Sequence, residues 1–141
     1  MKEVPYDAYK NINEIFLEKD IKKIREDYKK NCVGAAEVIK YIMNSNDIVA
    51  EIICLKNEHS IVDAPIKVFG NEYTHHAFVL MGEWVIDILH TDEIIKTKDY
   101  ILNLQKDNPK LRIDWTLSTC WYSDEGYPYR PTLQELIDYK Y

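Results

Sequence analysis

Residues 74–89, THHAFVLMGEWVIDIL, decide the fold. Two runs rich in Val, Ile, Phe and Trp flank Gly82-Glu83, and a glycine at the first turn position supplies the positive φ that a type II′ turn needs. The stretch is therefore a β-hairpin with a two-residue turn. That register pairs Met81 with Trp84, Leu80 with Val85, Val79 with Ile86, Phe78 with Asp87 and His76 with Leu89. Side chains alternate along a strand, so His76, Phe78 and Asp87 share one face and His75 lies on the other. His76 and Asp87 become diagonal neighbours, about 7–8 Å apart at the backbone, a gap their side chains can close. An aspartate that accepts from one ring nitrogen fixes the tautomer and leaves the other nitrogen as a base. Taken alone, the pair also reads as two ordinary strand residues.

At 141 residues the chain is one domain, long enough to bury a core without staples. Its 46% hydrophobic and 30% charged residues, with few Gly and Pro, are a globular composition rather than a disordered one. A net charge of −6 argues against general nucleic-acid binding, which needs a cationic surface. Residues 19–30, KDIKKIREDYKK, form the one basic stretch, and interleaved acids make it a solvated helix face. No run approaches the ~18 apolar residues of a membrane span, and the first residues, MKEVPYDAYKNINE, lack the pattern of a secretion signal. The expected setting is the cytoplasm, or delivery into a target cell without a signal peptide of the ordinary kind. Three cysteines, Cys32, Cys54 and Cys120, at no metal-like spacing fit free thiols in a reducing compartment.

In chain order, residues 7–30 carry apolar positions at helical spacing, with room for a break near Asp20. Asn31 reads as the N-cap of a buried helix over residues 32–43, with Gly34, Ala35 and Ala36 permitting close approach. Residues 48–57, IVAEIICLKN, suit helix or strand, and the spacing of Ile48, Val49, Ile52 and Ile53 favours helix. The IKVF of residues 66–69 makes a short strand before a Gly70-Asn71 turn. After the hairpin, Thr91 or Asp92 caps a helix through Ile94, Ile95, Tyr100, Ile101 and Leu104 that Pro109 stops. Residues 111–117 alternate as a half-buried strand. Thr132 and Glu135 form a capping box that opens a closing helix.

Cys32 falls in the first turn of its helix, where unpaired N–H groups and the helix dipole favour the thiolate. A thiol there, His76 at the head of a strand and Asp87 at the end of the next make a nucleophile, its base and the base's orienter. Cys54, among apolar neighbours, reads as inert. The segments Asn31-Cys32-Val33-Gly34-Ala35, His76-Ala77-Phe78-Val79 and Val85-Ile86-Asp87 resemble the papain-like thiol enzymes, most closely the small papain-fold toxins and protein glutamine deamidases of bacteria. The resemblance covers about a third of the chain. It implies an α+β, papain-like core in which N-terminal helices and a central Cys-bearing helix pack on an antiparallel β-sheet. Residues 1–141 would then be a single papain-like domain, with 1–30 a helical N-terminal extension packed on the core. It also implies that Cys32 is the nucleophile, His76 the general base and acid, and Asp87 the orienter. The larger papain-like proteases place a glutamine before the cysteine to bind the oxyanion, whereas this chain has Glu26 and Asp27, whose charge would oppose a developing anion. Asn31, Trp84, Trp121 and Tyr122 are the candidates for oxyanion or substrate binding, beside the Cys32 N–H. The family's toxins often end a longer polypeptide, whereas this sequence starts at a methionine, as a small effector or a cytosolic modifier would.

The function so implied is a thiol-dependent hydrolase of amide carbonyls acting on a protein substrate, either a glutamine deamidase or narrow amidase, or a peptidase or isopeptidase, with transfer to an amine a further outcome of the same intermediate. No cofactor is called for. The competing function is a non-catalytic binding or inhibitory protein that uses the aromatic surface of residues 120–130. A metal site from His76, Asp87 and His90 ranks third, because the hairpin places His90 beyond the strand end and no fourth ligand is evident.

Overall fold

The computed structural model of the chain describes residues 11–58, 63–119, 121–122 and 128–138. A 3-10 turn at Ile12–Glu14 precedes two helices, α1 (Glu18–Asp27) and α2 (Cys32–Ser45). Strands β1 (Glu51–Glu58), β2 (Asp63–Ala64), β3 (Ile66–Val68), β4 (Asn71–Tyr73), β5 (His76–Met81), β6 (Trp84–Ile86) and β7 (Ile95–Lys96) follow. Helix α3 (Thr97–Asp107), strands β8 (Leu111–Ile113), β9 (Trp121–Tyr122) and β10 (Pro128–Tyr129), and helix α4 (Leu133–Asp138) complete the order.

Strands run β2-β1-β5-β6-β7 in one antiparallel sheet, and β8 also pairs with β1. Leu55 pairs with His76 and with Ile113, so β5 and β8 lie on opposite edges of β1. Alternation along these strands gives the sheet two apolar faces. Ile52, Cys54, Ala77, Val79, Met81 and Ile86 pack under α1 and α2 with Ile12, Phe16, Ile21, Ile24, Ala35, Ile39 and Met43. On the other side, Ile53, Leu55, Phe78, Leu80 and Val85 meet Tyr100, Ile101 and Leu104 of α3 and Leu136 of α4. Burial on both faces is what makes residues 52–55 of β1 and 77–81 of β5 continuous apolar runs. The α+β class and the packing of N-terminal helices on an antiparallel sheet are as the sequence led us to expect. Among the described residues no helix is long and apolar enough to cross a membrane.

The central hairpin has the expected register: Val79 opposite Ile86, Leu80 opposite Val85 and Met81 opposite Trp84. Gly82 has φ 61° and Glu83 is not at positive φ, as a type II′ turn requires. The ladder ends there, however. Phe78 does not pair with Asp87 nor His76 with Leu89, because the chain turns back at Asp87, whose carbonyl accepts from the N–H groups of His90 and Thr91 at 3.1 and 2.9 Å.

Other elements depart from the pattern in instructive ways. The segment read as a helix at residues 48–57 is strand β1: Asp47 at φ 60° breaks the path out of α2, and the β-branched run then serves both sheet faces. Ile94 and Ile95 are not helical, since β7 comes first and α3 starts at Thr97. The strand read to Leu117 stops at Ile113, because the Asp114 carboxylate accepts from the Thr116 N–H and hydroxyl and closes a turn. The β3–β4 turn falls one residue early, on Phe69 and Gly70 at φ 47° and 83°. The break in the N-terminal segment lies between the 3-10 turn and Glu18 rather than at Asp20. The capping box forms as read, Glu135 N–H to Thr132 Oγ1 at 3.1 Å and Thr132 N–H to Glu135 Oε1 at 3.3 Å. Cys120 and residues 123–127 of the aromatic stretch 120–130 lie outside the described residues.

Helix α1 supports the turn after β6. Arg25 donates from Nε to the Ile88 carbonyl at 2.7 Å and from Nη2 to Asp92 at 2.6 Å, and the Ile12 N–H reaches the Asp92 carbonyl at 3.0 Å. The ion pair is half-exposed and screened, so it contributes little, whereas the charged donor to a part-buried carbonyl contributes more. Replacing Arg25 by Ala should lower the urea-unfolding free energy by about 1–2 kcal/mol, and Asp92→Ala by less than about 0.5 kcal/mol. Equal losses in the two variants would show that the carbonyl contact is not the important one.

Candidate active site

The site is built at the end of β5 where the sheet splays. In a two-residue hairpin, Met81 and Trp84 exchange hydrogen bonds, so the odd residues of β5 turn their N–H and C=O groups toward β6. Because β6 stops opposite Val79, the His75 carbonyl and Ala77 N–H face an edge without a strand. Cys32 fills it. Its Sγ lies 3.2 Å from the His75 carbonyl and 3.4 Å from the Ala77 nitrogen, which donates to it. The thiol thus straddles the backbone on either side of His76.

Asn31 sets the start of α2, its Oδ1 accepting from the Gly34 N–H at 2.9 Å. A Cβ on Gly34 would come within 2.6 Å of Asn31 Nδ2 and 2.9 Å of the Tyr28 ring, so glycine lets both side chains pack on the first turn. Among the described hydrogen bonds, none caps the N–H groups of Cys32 and Val33. They form the positive end of the helix dipole beside the sulfur.

His76 is fully buried on the α3 side of the sheet and Asp87 is 3% exposed. Their nearest atoms, His76 Nε2 and Asp87 Oδ2, are 3.5 Å apart, long for a hydrogen bond. Tyr100 closes the gap: its hydroxyl is 2.6 Å from His76 Nε2 and donates to Asp87 Oδ2 at 2.5 Å. The carboxylate also accepts from His90 Nδ1 at 3.0 and 2.9 Å, and His90 Nε2 lies 2.7 Å from the Tyr73 hydroxyl. The Nδ1 of His76 is buried with no hydrogen-bond partner among the described residues, so it is the one ring nitrogen that Tyr100 and Asp87 do not engage.

The electrostatics follow from this contact set. Burial pushes the Cys32 thiol up, yet the proximity and charge of His76 and the Ala77 N–H bring it below the ordinary 9.0. Burial pushes His76 down, but Asp87 and the Cys32 thiolate outweigh it and raise the imidazole to about 9. Burial likewise pushes the Asp87 carboxyl up, and the nearby His76 together with the His90 hydrogen bonds holds it well below the usual carboxylate range. Thiolate and imidazolium favour one another. Cys54 is the opposite case: fully buried and close to Asp114, it is pushed up to about 12.

Cys32, His76 and Asp87, chosen from sequence, therefore lie together, and Asn31 adjoins them as a cap. Trp84 does not. It pairs with Met81 at the opposite end of β5 and lies beside the Lys96 ammonium, 5.8 Å from its ring centroid. The backbones of Trp121 and Tyr122 form β9, and their side chains lie outside what the structure describes. Glu26 and Asp27 are exposed at the end of α1. Two participants were not assigned to this site from sequence: His90, which the sequence offered only as a metal ligand beyond the strand end and which instead turns inward onto Asp87, and Tyr100. The i,i+3 spacing of Asp87 and His90 was the available signal for the first; the second comes from a distant helix and had none.

His76, Asp87 and His90 also place ligand atoms within 4.8 Å of one another, the donor set of a metal site. In the present geometry Asp87 is bonded directly to His90 and Tyr100, and an ion about 2.1 Å from each ligand would have to part them.

No family model matches the chain, and no significant match is found among curated proteins or solved structures.

Two outcomes follow. Iodoacetamide at neutral pH should label Cys32 in the native protein and leave Cys54 unmodified, as peptide mapping would show; equal labelling of both would contradict the ionisation described. The folded Asp87 carboxyl lies below its unfolded value near 3.8, so its stabilisation is complete above about pH 4 and is lost as pH falls through the folded value. The urea midpoint should drop on that acid limb, and Asp87→Asn should flatten it; an acid limb unchanged in Asp87→Asn would mean that Asp87 is not its source.

Proposed function

We propose that the protein is a thiol-dependent hydrolase of amide carbonyls, with Cys32 as nucleophile, His76 as general base and acid, and Asp87 as the group that orients and stabilises the imidazolium. The observation that carries this reading is geometric: the Cys32 sulfur lies against the backbone on either side of His76, whose Nε2 is engaged by Tyr100 in contact with Asp87. The Cys32 sulfur attacks the carbonyl carbon, and the oxygen takes the electron pair. The Cys32 N–H, at the positive end of α2, is the donor proposed for that oxyanion. His76 then delivers its Nδ1 proton to the leaving nitrogen, and amine or ammonia departs. Water, deprotonated by His76, attacks the thioester and releases the acid and the thiol.

The same chemistry serves a side-chain amide or a peptide bond. Cys32 is only 5% exposed, which favours a slender side chain over a main chain as the group that reaches it. A protein glutamine deamidase of the papain-like, effector type is therefore the preferred form of the reading, with a peptidase or isopeptidase of that fold as the alternative. A papain-like fold is part of this proposal and rests on the chain order of the three residues and on the Cys-bearing helix against an antiparallel sheet.

The test is intact-protein mass spectrometry of candidate protein substrates incubated with wild type or Cys32→Ala. A gain of about one mass unit with wild type alone is the predicted result, since hydrolysis of an amide converts NH2 to OH. Fragments that depend on Cys32 would replace deamidation by proteolysis. Neither product across a broad proteome would refute the hydrolase.

A further inference from the structure

His76 and Asp87 share a site without sharing a good hydrogen bond. At 3.5 Å the direct contact is weak, while the Tyr100 hydroxyl stands 2.6 Å from one and 2.5 Å from the other. A phenol has one proton and lone pairs to accept with. The ionised carboxylate accepts and never donates, so the Tyr100 proton points to Asp87, and the Tyr100 oxygen is left to accept from His76. Nε2 of His76 must then carry a hydrogen, and Nδ1, which has no hydrogen-bond partner among the described residues, is the basic nitrogen.

Resting on the hydrolase reading above, we infer that Tyr100 is a positioning residue of the site: its hydroxyl relays the Asp87 carboxylate to His76 and holds the histidine in the Nε2–H tautomer. The relay runs Cys32, His76, Tyr100, Asp87, with His90 and Tyr73 bracing the carboxylate from behind. No bond to substrate is involved. When Cys32 gives its proton to Nδ1, the imidazolium keeps its Nε2–H on Tyr100, and the charge is felt by Asp87 through an aligned hydroxyl dipole between two buried side chains. Helix α3 holds the phenol firmly in this position. Tyr100 is fully buried, its ring 4.9 Å from Phe78 and 6.1 Å from His76, so the hydroxyl has little freedom to turn aside. Its phenol is itself raised well above 10.0, by burial first and then by the Asp87 charge and bond, so it stays protonated as a donor must.

Tyr100→Phe removes the relay and keeps the ring that packs on Phe78. The experiment is the rate of Cys32 alkylation by iodoacetamide against pH in wild type, Tyr100→Phe and His76→Ala, with Cys54 labelling as the control for unfolding. In Tyr100→Phe the inflection should rise by about one unit and the rate near neutral pH fall about tenfold, toward His76→Ala, while Cys54 stays unlabelled. A Tyr100→Phe profile that overlays wild type, with His76→Ala displaced, would overturn the relay and leave the Cys32–His76 pair standing. Coincident wild-type and His76→Ala profiles would overturn the pair and the relay with it. If Cys54 labelling shows Tyr100→Phe to be unfolded, nitrogen-15 NMR of the histidines in the wild-type protein decides. A ring proton on His76 Nε2 close in space to the Tyr100 ring supports the relay, and a bare Nε2 overturns it.

Discussion

A carboxylate with almost no solvent contact can stay charged only if donors replace the water it has lost. Asp87 has that requirement, and much of the surrounding architecture meets it. Tyr100 donates from α3, His90 from the turn that follows β6, and the His76 imidazolium supplies the counter-charge from β5. Three separate segments are thereby fixed to one another. Removing any one donor leaves a buried anion under-satisfied, which is more costly than never having buried it.

The backbone arrangement and the charge arrangement are one solution to a common problem. If β6 continued past Ile86, the edge of β5 at His75 and Ala77 would be paired and Cys32 would have no place there. Ending the ladder exposes two backbone groups, which the thiol satisfies, and turns Asp87 and His90 inward behind His76. Helix α1 secures that turn from outside through Arg25. The N-terminal helices thus do more than cover apolar surface; they hold the segment that carries the orienting carboxylate.

Much of this was legible because local chemistry and tertiary structure agree. Gly82-Glu83 dictates a turn and the turn dictates the register from Val79 to Ile86, whereas Asp87 reaches His76 from the turn that ends the ladder. Asn31 and Thr132 are caps whose partners lie three residues away. Where several structures satisfy one pattern, the pattern failed. Ile48, Val49, Ile52 and Ile53 fit a helical stripe and a doubly buried strand equally, and only the sheet resolves the choice. Ile94 and Ile95 look like the first turn of α3 until the edge of β6 recruits Ile95. Tyr100 was read as an apolar packing position, and so it is; that its hydroxyl ends at Asp87 depends on how α3 crosses the sheet, which no local spacing encodes.

The proposed chemistry stands on His76, held from Asp87, keeping Cys32 ionised below the range of an ordinary thiol. The thiolate's ultraviolet absorbance, followed against pH in wild type and corrected by that of Cys32→Ala, measures this without a substrate. The Cys32 signal should persist below pH 9, and His76→Ala should move its titration upward. A wild-type titration at or above 9, unmoved by loss of His76, would contradict the pairing and the mechanism built on it.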